Sequence, residues 1–281
     1  MIKNVMVALD GSDCAEYARR YAVDLSLRLH AQLEAVLVVD TGLLEYPLFA
    51  LPPPGFNNPS LAGALRDLRA FLGRQGQSVL DEAARRSESE GLPIATSLHY
   101  GRPAATLADL HTRSELVVLG RHGENASDAS EPSGSVMDRF IRRARRPVLV
   151  VPRPTPLPES ILVAVDGSES AFRALHVAVE LANALSARLV IASIAETDQD
   201  AETASARVLE AHTMARAHDC AAATWTAVGA PAPLLMEAAT RTASNLLVLG
   251  AHGHGWFYDR ILGSVAAQLA ALSEFPLLLV R

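Results

Sequence analysis

The chain repeats itself, and that repeat limits its fold more tightly than any composition figure. NVMVALDGSDCAEYARRYAVDLSLRLHAQL, starting at Asn4, aligns without a gap with SILVAVDGSESAFRALHVAVELANALSARL, starting at Ser160. Each copy is an apolar run, then Asp-Gly-Ser, then apolar residues at helical spacing. Ala18, Tyr21, Ala22, Leu25 and Leu29 share one helix face, as do Ala174, Leu175, Ala178, Leu181 and Leu185. The echo continues through LEAVLVVD and LVIASIAE, which read as buried second strands. HYGRPAATLADLHTRSELVVLGRHG answers AVGAPAPLLMEAATRTASNLLVLGAHG: a short strand, a Gly-x-Pro turn, an amphipathic helix, a fully apolar strand. RRPVLVVP answers EFPLLLVR as a last strand. Strands that are apolar throughout and alternate with helices call for a parallel sheet covered on both faces. The expected fold is therefore α/β: two repeated Rossmann-like domains, each a five-stranded parallel sheet with helices on both faces.

The expected boundaries are 1–152 and 160–281, joined by a proline-rich linker over 153–159 whose composition makes a short, stiff spacer. A chain of 281 residues suits two such units. The halves differ mainly after the second strand, around TGLLEYPLFALPPPGFNNPSL. Its prolines predict a surface excursion over 41–62, either a variable loop or a lid or interface flap.

Apolar residues make up 49% and charged residues 20%, as in a folded globular protein. The net charge of −6 argues against a global nucleic-acid or anionic-membrane surface. Cys14 and Cys220 form no metal spacing and no disulfide framework, which fits a reducing compartment. No apolar run reaches the ~20 residues that span a bilayer, and MIKNVMVALDGS has no apolar core with a cleavage site. The expected location is cytoplasmic.

In doubly wound sheets, ligands lie beyond the carboxyl ends of the strands where strand order reverses. Asp-Gly-Ser after the first strand and Gly-x-x-Gly after the fourth both belong there. Gly250 and Gly253 let backbone approach a ligand and bare its amides, and Gly263-Ser264 opens the next helix. A helix start offers free N–H donors and the positive end of a dipole. Ser264 suits either a cap or a hydroxyl donated to phosphate. There is no Gly-Lys-Ser/Thr of a Walker loop, and the glycines follow the fourth strand, not the first as in the dinucleotide fingerprint.

With those residues in place, nearly the whole chain resembles a tandem universal stress protein, whose architecture is that of the adenine nucleotide alpha hydrolases. The nucleotide-binding members carry Gly-x2-Gly-x9-Gly-Ser/Thr. Gly250, Gly253, Gly263 and Ser264 match it intact, whereas Gly120, Gly123, Gly134 and Ser135 have ten intervening residues in place of nine. The resemblance implies ATP with Mg²⁺, adenine and ribose near the ends of the first two strands and phosphates over the Gly-Ser pair. Carried over by position, the adenine side is Ala8, Asp10 and Val38 in the first half and Ala164, Asp166 and Ile194 in the second. The loop contacts are Gly120, His122, Gly123, Gly134, Ser135 and Val136, answered by Gly250, His252, Gly253, Gly263, Ser264 and Val265. The resemblance also implies that Val148–Val151 and Leu277–Val280 meet edge to edge, an intrachain pseudo-dimer; further pairing into a homodimer stays open. Glu124, Asp128 and Glu131 in the longer first loop would repel a triphosphate unless Mg²⁺ or a lysine or arginine intervened.

Plainer roles compete with these. Asp10 and Asp166 also suit a helix N-cap or a turn. His252 and His254 lack further ligands for a metal site, and Trp256, Phe257 and Tyr258 suit packing under the loop. Arg139, Arg142, Arg143, Arg145 and Arg146 suit a helix C-terminus better than a nucleic-acid patch. Nothing in the sequence marks a nucleophile elbow or a base poised to activate water. The function expected is a nucleotide-sensing ATP-binding module in the stress response with at most slow hydrolysis. The rivals are an ATP-cleaving or adenylate-transferring enzyme of the same architecture and a scaffold that has lost one nucleotide site.

Overall fold

A computed structural model of the chain describes residues 2–42, 59–123, 136–252 and 262–281. The first half runs β1 (Asn4–Leu9), α1 (Asp13–Leu29), β2 (Gln32–Asp40), α2 (Pro59–Ser89), β3 (Ala95–Gly101), α3 (Pro103–Leu110), β4 (Leu116–Gly120), α4 (Val136–Ile141) and β5 (Val148–Val151). The second repeats it as β6 (Ser160–Ala164), α5 (Glu169–Leu185), β7 (Arg188–Ala195), α6 (Ala201–Ala217), β8 (Ala222–Val228), α7 (Pro231–Arg241), β9 (Leu246–Gly250), α8 (Ser264–Leu272) and β10 (Leu277–Val280). No described helix is long and apolar enough to cross a membrane.

The ten strands among the described residues form one sheet in the order β3-β2-β1-β4-β5-β10-β9-β6-β7-β8. Within each half the strands are parallel; at the centre β5 and β10 pair antiparallel, with Leu149 opposite Leu278. The edge-to-edge pairing implied by the family resemblance is thus present. Strand pleating sends alternate residues to opposite faces. Val5, Val7, Leu149, Val151, Leu278 and Val280 pack under α1, α2, α5 and α6. Met6, Val117, Val148, Val150, Leu277 and Leu279 pack under α3, α4, α7 and α8. Each of these clusters draws residues from both halves.

The helix faces expected from the repeat are the buried ones. Ala18, Tyr21, Ala22, Leu25 and Leu29 of α1 and Ala174, Leu175, Ala178, Leu181 and Leu185 of α5 all lie in one core cluster. Both helices end on a left-handed residue at matching positions, His30 (φ 53°) and Ser186 (φ 56°), whose amides close the last turn. The surface excursion expected over 41–62 is corrected at its end. Residues from Pro59 onward belong to the 31-residue helix α2, because a proline in the first turn sacrifices only an amide that has no helical partner. Residues 43–58 lie outside the described residues. The arginine cluster also needs correcting: α4 stops at Ile141, so Arg142, Arg143, Arg145 and Arg146 follow the helix and do not sit in it.

Strand direction places the two candidate sites. The carboxyl ends of β1 to β5 lie along one edge of the sheet. Because β10 runs opposite to β5, the carboxyl ends of β6 to β10 lie along the other edge.

Candidate nucleotide site

In each half, strand order reverses between the first and fourth strands, so β1 lies between β2 and β4, and β6 between β7 and β9. Loops leaving these two neighbours must diverge, and the crevice between them is where such sheets take ligands. Asp10 and Asp166 begin one loop. Gly11 and Gly167 turn it at φ 91° and 86°, a region that suits glycine. Ser12 and Ser168 then cap α1 and α5, accepting the amides of Ala15 at 3.1 Å and Ala171 at 3.2 Å. The caps are therefore the serines. Each aspartate accepts the amide two residues on, Ser12 at 3.0 Å and Ser168 at 2.9 Å, and Asp10 also accepts a hydrogen bond from the Ser12 hydroxyl at 2.6 Å. A carboxylate held by its own turn is ordered in advance.

The fourth-strand loops meet these turns. The Ser12 hydroxyl lies 3.4 Å from the His122 carbonyl, and the Ser168 hydroxyl 3.4 Å from that of His252. In the second half, Ser170 also donates to the His252 carbonyl. The first half has Cys14 at that position, with its Sγ 3.9 Å from the carbonyl of Pro152. His122 is held below the ordinary imidazole pKa by partial burial and secondarily by Arg121.

The glycines divide into two kinds. A Cβ on Gly120 would stand 2.5 Å from the Cys14 carbonyl carbon, and one on Gly250 would stand 2.8 Å from both the Ala171 nitrogen and the Ser170 carbonyl carbon. Gly120 and Gly250 are thus required by the close approach of the first helical turn to the strand end. Gly123 differs: among the described residues a Cβ there would meet only the Asp10 carboxylate, at 2.7 Å. That places the bare backbone of the loop against the acid.

Ala8, Val38, Ala164 and Ile194 are half-buried and pack on the cluster beneath α3, α4, α7 and α8. They form an apolar ledge at the carboxyl ends of the first two strands of each half. Gly263 is the N-cap of α8 and Ser264 its first residue. Ser264 therefore does not cap the helix, and its side chain is exposed. Val136 opens α4 and Val265 follows Ser264 in α8. Gly134, Ser135 and Gly253, like Glu124, Asp128, Glu131, His254, Trp256, Phe257 and Tyr258, lie outside the described residues. Among the described residues no three His, Cys, Asp or Glu groups come together as a metal site.

Two residues escaped sequence reasoning. Arg121 stands between Gly120 and His122, where the second half has Ala251, and its Nη1 donates to the Ser273 carbonyl of the opposite half at 2.7 Å. Arg281 crosses the other way, donating through Nη2 to the carbonyls of Ile141 at 3.1 Å and Arg142 at 2.8 Å. A mismatch in the repeat was the signal: an arginine faces an alanine in one copy and a proline in the other.

The fold and loops define a tandem α/β protein with a candidate site at each edge of one sheet. The chain belongs to the universal stress protein family, whose profile matches residues 1–152 and 158–281. It is 27% identical to a universal stress protein of Synechocystis sp. over the full length of both chains. It is 26% identical to one from Mycobacterium tuberculosis, covering 99% of this chain and 94% of that one. The crystal structure of a universal stress protein from Archaeoglobus fulgidus matches in fold with a TM-score of 0.74 at 16% identity, over 99% of this chain and 96% of that one.

Proposed function

We propose that the chain binds ATP at the carboxyl edge of each half and serves as a nucleotide-sensing regulatory module, with hydrolysis at most slow. The observation that carries this reading is the meeting of two loops at each reversal of strand order: an Asp-Gly-Ser turn and a glycine-bearing fourth-strand loop, joined through Ser12 to the His122 carbonyl and through Ser168 and Ser170 to that of His252. The groups present suit an adenine nucleotide. Asp10 and Asp166 would accept ribose hydroxyls, the Ala8–Val38 and Ala164–Ile194 ledges would take the base, and the start of α8 with Ser264 would face phosphate. The nine-residue α8 is long enough for its N-terminal donors and dipole to act together. The phosphates and water, more than protein carboxylates, would hold Mg²⁺.

The reading as a binding module and not an efficient enzyme rests on the donor set. The one lysine of the sequence is Lys3, so neither loop supplies a lysine to a leaving phosphate. Asp10 is engaged by Ser12 and is poorly placed to activate water. Mass spectrometry of small molecules released from freshly purified protein tests this directly, followed by calorimetry with ATP and Mg²⁺. Adenine nucleotide is expected in both experiments, with turnover far below the ~10 s⁻¹ of ordinary enzymes. Multiple-turnover ATP cleavage with a second substrate would replace the module by a transferase, and absence of heat would leave a scaffold.

A further inference from the structure

The geometry points to a coupling between the two edges: Arg121 is a positioning residue that sets α8 of the opposite half, so that the first loop and the second site respond to each other. The inference rests on the nucleotide reading above and adds how its two sites communicate.

Topology supplies the first step. A helix following a parallel strand runs back across the sheet, so α8 starts at the second site's edge and ends at the first site's edge. Its nine residues span about 13 Å. At its far end, the carbonyl of the C-cap residue Ser273 has no helical partner of its own. Arg121 of the first loop supplies one at 2.7 Å, from between Gly120 and His122. A guanidinium at a helix C-terminus also suits the dipole. The turn beyond is closed by Ser273 itself, whose hydroxyl reaches the Phe275 carbonyl at 2.9 Å and whose Oγ accepts the Phe275 amide at 3.0 Å. The Arg121 contact therefore meets an ordered end and not a frayed one. The Arg121 Nε is buried and has no partner among the described residues. A surface arginine serving only as a solvated charge would not be drawn in at that cost.

The second step is the reciprocal contact. Arg281 follows Val280, which pairs with Gly250 at the mouth of the second site. It grips the end of α4 through the carbonyls of Ile141 and Arg142. Its own carbonyl accepts from Arg173 Nε at 2.7 Å, and Arg173 lies on α5, the helix that Asp166-Gly167-Ser168 opens. Each site thus holds, with one arginine, the far end of the helix that begins near the other. The two residues do not occupy equivalent repeat positions, so sequence symmetry did not impose the crossing. A shift of the first loop on filling must move Arg121 or break its bond, and either changes the seat of α8. By linkage, filling the second site then alters the first by the same factor.

Hydrogen exchange of the full chain without nucleotide is the first arm. Arg121→Met is expected to speed exchange of the α8 amides at least tenfold while those of α4 keep their protection. Arg121→Lys, which retains a cationic donor group, is expected to recover most of it. Arg281→Met is expected to give the converse pattern at the end of α4. Calorimetry is the second arm, in a chain whose first ledge is filled by Ala8→Phe, so that only the second site takes ATP. Adding Arg121→Met is expected to weaken that site about tenfold, and adding Arg121→Lys to restore it. Unchanged α8 exchange, or a second-site affinity within twofold of the Ala8→Phe parent, overturns the coupling. Absence of ATP binding by the wild-type chain defeats the nucleotide reading instead, and the exchange arm alone then decides whether Arg121 positions α8.

Discussion

A Cβ is enough to separate the two jobs that glycine does at these loops. Gly120→Ala would push into the backbone of Cys14, and Gly250→Ala into the Ser170–Ala171 peptide, neither of which can swing aside. Each is expected to cost about 1–3 kcal/mol of stability by overpacking, read as a lowered urea midpoint at unchanged slope. Gly123→Ala meets, among the described residues, only the end of the Asp10 side chain, so it should spare stability and instead weaken nucleotide binding in the first half. A strong stability loss at Gly123 would refute that division. His111 carries a second residue-scale prediction. It is buried, its Nδ1–H donates to the Ala108 carbonyl at 2.6 Å, and its Nε2 accepts the Arg145 amide at 2.7 Å. Burial lowers its pKa; the Ala108 bond opposes this, while Arg146, Arg145 and Arg281 reinforce it. The folded state binds the proton more weakly than the unfolded chain does, so its contribution to stability is complete above about pH 6.5 and is lost as pH falls through the lower folded value. His111→Leu is expected to be less stable than wild type at pH 7.5, by about 1–3 kcal/mol for the amide left unpaired. The gap should narrow toward pH 5.5; a gap that stays constant would show that the imidazole does not titrate as argued.

Helix starts show what the sequence could and could not display. Ser168 caps α5 through the Ala171 amide, whereas Ser264 is the first residue of α8 and follows a glycine cap with no side-chain bond. Ser168→Ala is accordingly expected to cost about 1 kcal/mol of stability. Ser264→Ala should change stability by less than about 0.5 kcal/mol and yet lower ATP affinity about tenfold, the worth of one hydroxyl bond to a charged oxygen. The opposite pattern in denaturant melts and calorimetry would move the phosphates away from α8. Both serines follow a glycine, so sequence alone left the cap role open for Ser264; the cap is fixed by backbone dihedrals one residue earlier. The repeat, by contrast, was legible because it is periodic. Apolar strands and the faces of α1 and α5 follow from burial, which acts on every residue of an element at once. What stayed hidden was the contact between elements distant in sequence: Gly120 against Cys14, Arg121 on Ser273, His111 on Arg145. Such contacts leave no period, only single residues that break the match between copies. Helix α2 was hidden for a different reason, since Pro59 looks like the end of a loop until its place in the first helical turn is known.

Continuity of the sheet makes the molecule one unit. β5 and β10 lie at its centre, and neither half would cover that edge alone. Both core clusters cross the junction, with Leu149 and Leu278 directly opposed on one face and buried at 2% and 1% exposure. Two halves joined only by a stiff spacer would unfold separately; two halves sharing a central strand pair must expose the same apolar surface together. The full chain is therefore expected to unfold in one transition, with fluorescence and circular dichroism coincident. Leu149→Ala and Leu278→Ala should each cost about 2–5 kcal/mol, because both open cavities in a packed centre. Their effects should not add. Once one side chain is gone, the other has lost its partner, so the double variant should fall short of the sum by about 0.5–3 kcal/mol. Additive losses, or an early transition assigned to one half, would mean that the junction is a contact between two independently stable units. In that event the arginine crossings, which depend on a fixed junction, would have no rigid frame through which to act.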